Sequence, residues 1–201
     1  MIELLVGPRP LAVEDIVALA EGRARVSVDP EPGYRALLAA GAEQLARRLA
    51  AGEVVYGVTT GFGDSCVTSV SAEYVAQMPV NLMRFHGCGT GRIFDEVEAA
   101  AIVAVRLAAL ARGWSGVRPV VLERLCALLE RRVLPCIPSE GSVGASGDLT
   151  PLSYVVAALV GERECLVAGA VVPAGEALAA AGIEALTLAP KESLALMNGT
   201  S

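Results

Sequence analysis

Apolar residues recur at spacings of three and four along most of this chain, and that period predicts one helix after another. Leu11 to Glu21 is a short amphipathic stretch. Pro32 to Ala51 is longer, with proline in the tolerant first turn and Gly52 placed to close it. Ser71 is positioned to cap a helix running towards Phe85 and His86. Pro79 kinks that helix unless a break or a first-turn position accommodates its ring. Asp95 and Glu98 form a capping pair for Glu96 to Arg112, ended by Gly113. Pro119 to Val133, Asp148 to Val160 and Ala174 to Ala181 follow, with Asp148 or Thr150 as cap of the middle one. The last helix starts near Pro190. Cys165 to Val172 reads as two tiny strands around Ala168-Gly169, a small β-hairpin. The fold class is mainly α.

Two stretches break the pattern. Tyr56-Gly-Val-Thr-Thr-Gly-Phe-Gly63 is too rich in glycine and threonine for a regular helix, and Pro135 to Gly147 contains PSEGSVGASG. No internal repeat or low-complexity linker separates the elements, so the chain reads as one domain, residues 1–201.

Composition sharpens the picture. Apolar residues make up 54% of the 201 positions and charged ones only 19%, below the usual quarter for a soluble domain. So apolar a chain hides part of its surface against other chains, as an oligomer or as a piece of something larger. The net charge is −6 and no basic run occurs, which excludes a nucleic-acid partner. The start, with Glu3 and two prolines, is unlike a signal peptide. The longest apolar run, Ala99 to Ala111, is broken by Arg106 and too short for a bilayer. A cytoplasmic protein with no membrane partner is expected. The cysteines (Cys66, Cys88, Cys126, Cys136, Cys165) are scattered with no CxxC pair, which supports neither a disulfide framework nor a metal site. Most are expected to be buried thiols.

The richest chemistry lies in Gly141-Ser-Val-Gly-Ala-Ser-Gly-Asp-Leu-Thr-Pro-Leu152. A phosphate loop needs lysine where Asp148 stands. A nucleophile elbow fails because Ser146 is followed by Gly147 and Asp148, and a serine hydrolase also lacks a clear acid partner for its one histidine. A plain loop of small residues is the bland alternative. Glycine's unhindered amide offers a sharper one. The Gly147 nitrogen can close onto the Ala145 carbonyl carbon, and loss of water there and of the Ser146 hydroxyl leaves an exocyclic methylene on an imidazolone. A helix starting near Asp148 would turn its positive end towards that ring.

Gly-Ser-Val-Gly-Ala-Ser-Gly-Asp-Leu resembles the signature of the histidine, phenylalanine and tyrosine ammonia-lyases, which make a methylidene-imidazolone (MIO) from Ala-Ser-Gly. Three more segments agree in order: Tyr56 to Gly63, Asn81-Leu-Met-Arg-Phe-His-Gly87 and Leu194-Ala-Leu-Met-Asn-Gly-Thr200. The similarity covers nearly the whole chain and includes the related aminomutases. It implies an electrophile formed autocatalytically from Ala145, Ser146 and Gly147, with no external cofactor.

The resemblance also implies residue roles. Tyr56 matches the family's catalytic tyrosine, the base that takes the β-proton. A tyrosine phenol ordinarily ionises near ~10, so a base of this type needs positive potential nearby. Asn198 matches the asparagine beside MIO, and its carboxamide both donates and accepts. Asp148 assists ring formation or simply caps its helix. Phe85 and His86 fall at the pair that recognises the substrate side chain, and Gly63 is taken as a further substrate-binding residue. Histidine-selective relatives carry Ser-His there, tyrosine-selective ones His-Leu and plant phenylalanine enzymes Phe-Leu, and Phe85-His86 matches none. Ser201 also departs from the glutamine of histidine enzymes. Tyrosine or phenylalanine is the favoured substrate, with histidine open.

Family members are much longer, so the expectation is the N-terminal part of the histidine/phenylalanine ammonia-lyase fold, without its C-terminal helical bundle. That bundle carries an arginine for the substrate carboxylate and a further tyrosine. The family's tetramers imply a homo-oligomer, or association with a C-terminal chain. Two alternatives stay beside the lyase: a 2,3-aminomutase with the same electrophile, and a non-catalytic assembly subunit.

Overall fold

The computed structural model describes residues 2–141 and 149–198. The chain opens with β1 (Ile2–Val6), α1 (Val13–Ala20) and β2 (Ala24–Val28), two parallel strands joined through a helix, with Ile2 opposite Ala24 and Val6 opposite Val28. Neither strand was expected. β2 buries Ala24, Val26 and Val28 and exposes Arg25 and Ser27, a period of two that is short but readable.

α2 (Pro32–Ala50) starts on Glu31, whose carboxylate accepts from the Gly33 and Tyr34 amides at 2.9 and 2.6 Å. The Tyr34 hydroxyl donates to the Ala111 carbonyl at 2.6 Å, and burial pushes its phenol up from the ordinary value. After the tyrosine loop come a 3₁₀ turn (Gly63–Val67), α3 (Ala72–Val75) and α4 (Met78–His86). The break at Ala76 and Gln77 puts Pro79 in the first turn of α4, where its missing N–H is harmless.

β3 (Thr90–Ile93) precedes α5 (Glu96–Leu110), whose capping box is made as expected: the Asp95 carboxylate accepts from the amides of Val97 and Glu98, and Glu98 accepts from the Asp95 amide. α6 (Pro119–Arg131) stops two residues short of Val133, where Arg132 turns left-handed at φ 51°. β4 (Leu134–Pro135) and β5 (Pro138–Glu140) follow, and β5 pairs antiparallel with β3.

α7 (Leu149–Val160) is buried nearly all round, through Leu152, Val155, Val156, Ala157 and Leu159. Together with Val103 and Leu107 of α5 and Leu122 and Leu125 of α6 it makes the core. Each fully buried aliphatic side chain there stabilises the fold by roughly 1.5–3 kcal/mol. The expected hairpin is present as β6 (Glu164–Val167) and β7 (Ala170–Pro173), turning on Ala168 and Gly169 at φ 49° and 80°. β4 joins it as a third strand. α8 (Ala174–Ala180) and α9 (Glu192–Met197) complete the mainly helical fold, and α9 packs on α4 and α7. No helix among the described residues is long and apolar enough to cross a membrane. Of the cysteines, Cys126, Cys136 and Cys165 are buried and Cys66 and Cys88 exposed.

Candidate active site

The loop after α2 is held by its own threonines. The Thr59 hydroxyl accepts from the Val55 amide at 2.8 Å and Thr60 from Gly57 at 3.1 Å. Gly57 stands at φ 67°, and a Cβ there would lie 2.7 Å from both Leu194 and Phe62 side-chain carbons. Only glycine lets the loop seat this tightly on α9. The result is a fixed Tyr56: its hydroxyl accepts from the Gly63 amide at 3.0 Å and its ring stands edge-on to Phe62 at 6.4 Å. Because the phenol oxygen is the acceptor in that bond, its own O–H remains for another partner.

α4 supplies the facing wall. His86 is half-buried and its Nδ1 lies 2.9 Å from the Leu82 carbonyl oxygen. A carbonyl only accepts, so Nδ1 carries the hydrogen and Nε2 of the neutral ring is left as an acceptor. Phe85 is 80% exposed and meets the His86 ring edge-on at 5.2 Å.

α9 brings Asn198 to the same place. Its start is tied down by Glu192, which is buried and accepts from Arg118 Nε and Nη2 at 2.8 and 2.7 Å, from the Ala189 amide at 2.7 Å and from the Arg118 amide at 3.2 Å. Its end is held by Arg106, which donates to the Asn198 carbonyl at 3.1 Å.

These segments enclose an open cleft of ≈ 720 Å³ whose lining includes Tyr56, Gly63, Phe85, His86, Leu149 and Asn198. Five residues singled out from the sequence (Tyr56, Gly63, Phe85, His86, Asn198) thus meet on one surface. Ala145, Ser146, Gly147 and the cap candidate Asp148 lie outside the described residues. Leu149 nevertheless places the resumed chain on the cleft wall. On the near side, Gly141 leaves no room for a Cβ, which would sit 2.6 Å from Thr150 Cγ2. The Asn81, Phe62 and Leu194 side chains also line the cleft. They stood within or beside the quoted motifs but carried no signal of their own.

A second cleft of ≈ 520 Å³ flanks the first and shares Tyr56 and Asn198 with it; Arg48, Trp114 and Lys191 line it too. Lys191 donates to the Ser115 carbonyl at 3.3 Å, and Arg48 pairs with Glu53 at 2.6 Å. Among the described residues no cluster of histidine, cysteine and carboxylate side chains is arranged to hold a metal ion.

Known proteins are similar to nearly the whole chain. A histidine ammonia-lyase of Geobacillus thermodenitrificans (strain NG80-2) is 43% identical over 189 residues, covering 92% of this chain and 37% of the relative. An MIO-dependent tyrosine 2,3-aminomutase of Streptomyces globisporus is 44% identical over 196 residues, 95% of this chain and 35% of that protein. The crystal structure of a tyrosine aminomutase from the same organism superposes with a TM-score of 0.90 at 40% identity, over 98% of this chain and 37% of that one. The chain therefore spans little more than a third of these relatives. The family model described as aromatic amino acid lyase matches residues 11–201. With that match running through every segment that builds the cleft, the chain belongs to the aromatic amino acid lyase family.

Proposed function

We propose that the protein carrying this chain eliminates ammonia from an aromatic L-amino acid to give the α,β-unsaturated acid, using an MIO electrophile made from Ala145, Ser146 and Gly147. The observation that carries this reading is the convergence of Tyr56, Asn198 and the Phe85-His86 pair, from three distant segments, on one cleft. The described residues fit such a group. Leu149, two positions after Gly147, is on the cleft wall, and the cleft offers a phenol and a carboxamide between apolar sides. When formed, MIO supplies the electrophile that turns the substrate amine into a leaving group.

The chain's own side chains do the rest. Tyr56 takes the β-proton; the Gly63 amide and the Phe62 ring hold its oxygen and ring in one orientation, which preserves near-attack geometry. Asn198 donates and accepts hydrogen bonds beside the reacting atoms. Phe85 gives the substrate ring an apolar wall, and His86 Nε2 accepts from a polar group at its far end. A phenol O–H suits that acceptor and a phenyl ring suits Phe85, so tyrosine or phenylalanine is the favoured substrate. Histidine, whose imidazole N–H also suits Nε2, is the second choice. A 2,3-aminomutase is the alternative reaction, supported by the 44% identical relative.

The whole protein is proposed to be a cytoplasmic tetramer, or this chain to join a C-terminal chain. The exposed Trp114, Val54 and Phe85 around the two clefts support such covering.

Tyr56→Phe tests the reading. Removing a general base lowers kcat by about 10²–10⁴-fold, with the MIO absorbance intact. Product analysis of the wild type yields the unsaturated acid alone for a lyase and a β-amino acid as well for an aminomutase. Wild-type turnover by Tyr56→Phe contradicts the assignment, and absence of any turnover favours a non-catalytic assembly subunit.

A further inference from the structure

Arg163 is out of place by backbone criteria. It follows α7 at φ 63°, in the left-handed region that glycine enters freely and other L residues enter only at a cost. Its side chain reaches back across the molecule. The guanidinium lies 4.7 Å from the centre of the Tyr154 ring and Nη2 donates to the Gly87 carbonyl at 2.8 Å. Tyr154 in turn accepts from the Gly89 amide through its hydroxyl at 3.1 Å.

Gly87 is the complementary oddity. Its φ is −77°, so its backbone does not require glycine. A Cβ there would overlap the Arg163 guanidinium. Those atoms are the flexible end of the arginine, so a methyl at 87 would push the guanidinium off the Gly87 carbonyl, and its reach to Gly87 gives the strained arginine a task. The neighbouring Glu162 makes a second link: its carboxylate accepts from Arg84 Nε and Nη2 at 3.0 and 2.5 Å. Arg84 holds the Glu162 carboxyl below its usual range. Glu162 thus grips the residue just before Phe85-His86, and Arg163 the residue just after.

We propose that Glu162 and Arg163 form a specificity clamp: positioning residues, outside the cleft, that fix how Phe85 and His86 face the substrate ring. The clamp lies just beyond the C-terminal end of α7, whose first residue Leu149 lines the cleft, so this helix leads from the cleft wall to the clamp. This rests on the reading of Phe85-His86 as the substrate-recognition pair. A merely structural tie would serve stability alone, and Arg163→Gly separates the two. Glycine relieves the backbone while removing the grip, so melting changes little.

The test uses the whole protein carrying Arg163→Gly, Gly87→Ala or Glu162→Gln, with Phe85→Ala and His86→Ala as direct comparisons. Two selectivities are read: kcat/KM for tyrosine, phenylalanine and histidine, and calorimetric binding of the unsaturated acids bearing phenol, phenyl or imidazole rings. The clamp predicts that Arg163→Gly and Gly87→Ala each change the phenol-to-imidazole ratio by about tenfold, within the range that pocket contacts command. Glu162→Gln, which keeps a neutral acceptor, changes it less. Unchanged ratios in Arg163→Gly and Gly87→Ala, while Phe85→Ala and His86→Ala shift them, overturn the clamp alone. Unchanged ratios in all five overturn both the clamp and the recognition role of the pair.

Discussion

Burial decides what the cysteines can do. Desolvation pushes the Cys126 and Cys165 thiols up to about 12 and raises Cys136 as well, because a thiolate loses its water in those surroundings. All three therefore stay protonated at neutral and mildly alkaline pH. Native alkylation followed by mass mapping should label Cys66 and Cys88 and leave the other three untouched until denaturant is added; rapid labelling of Cys126 or Cys165 in the folded chain contradicts the packing. The same scale shows how far the site was legible. Tyr56, Phe85, His86 and Asn198 stood out through motifs, and the structure brings them together. Asn81 and Leu194 share the cleft because of where α4 and α9 cross, which no local pattern encodes. Nor did anything in the sequence around Glu162 and Arg163 point to Gly87, seventy-six positions away.

Among the elements, α9 is the one the site depends on most directly. It is only six residues long and carries Asn198 at its end, so propensity cannot hold it. The Arg118–Glu192 pair does. Glu192→Ala deprives Arg118 and two part-buried amides of their acceptor, and should cost about 3 kcal/mol in urea unfolding. Glu192→Gln, which keeps an acceptor oxygen, should cost less. A loss below about 1 kcal/mol for Glu192→Ala contradicts this role. Long helices with chemical punctuation, such as α5 with its Asp95-Glu98 box, were readable because the signals are local. β1 and β3 were not. β1 buries only Val6 fully, and β3 is exposed throughout and owes its existence to pairing with β5, more than forty positions on. Strands that depend on distant partners carry little periodicity of their own.

At the scale of the whole molecule, a helical core of α5, α6 and α7 holds a cleft wall on one side while apolar side chains such as Trp114, at 87% exposure, face outward. The chain spans little more than a third of its relatives. The proposed chemistry requires of the chain itself that Ala145-Ser146-Gly147 be the precursor of an electrophile. Intact mass of the purified protein, with peptide mapping across Pro138 to Leu152, tests it most directly. A deficit of two waters confined to those three residues, abolished by Ser146→Ala, is the predicted result. An unmodified peptide from protein that also carries the C-terminal half of the family fold would contradict it.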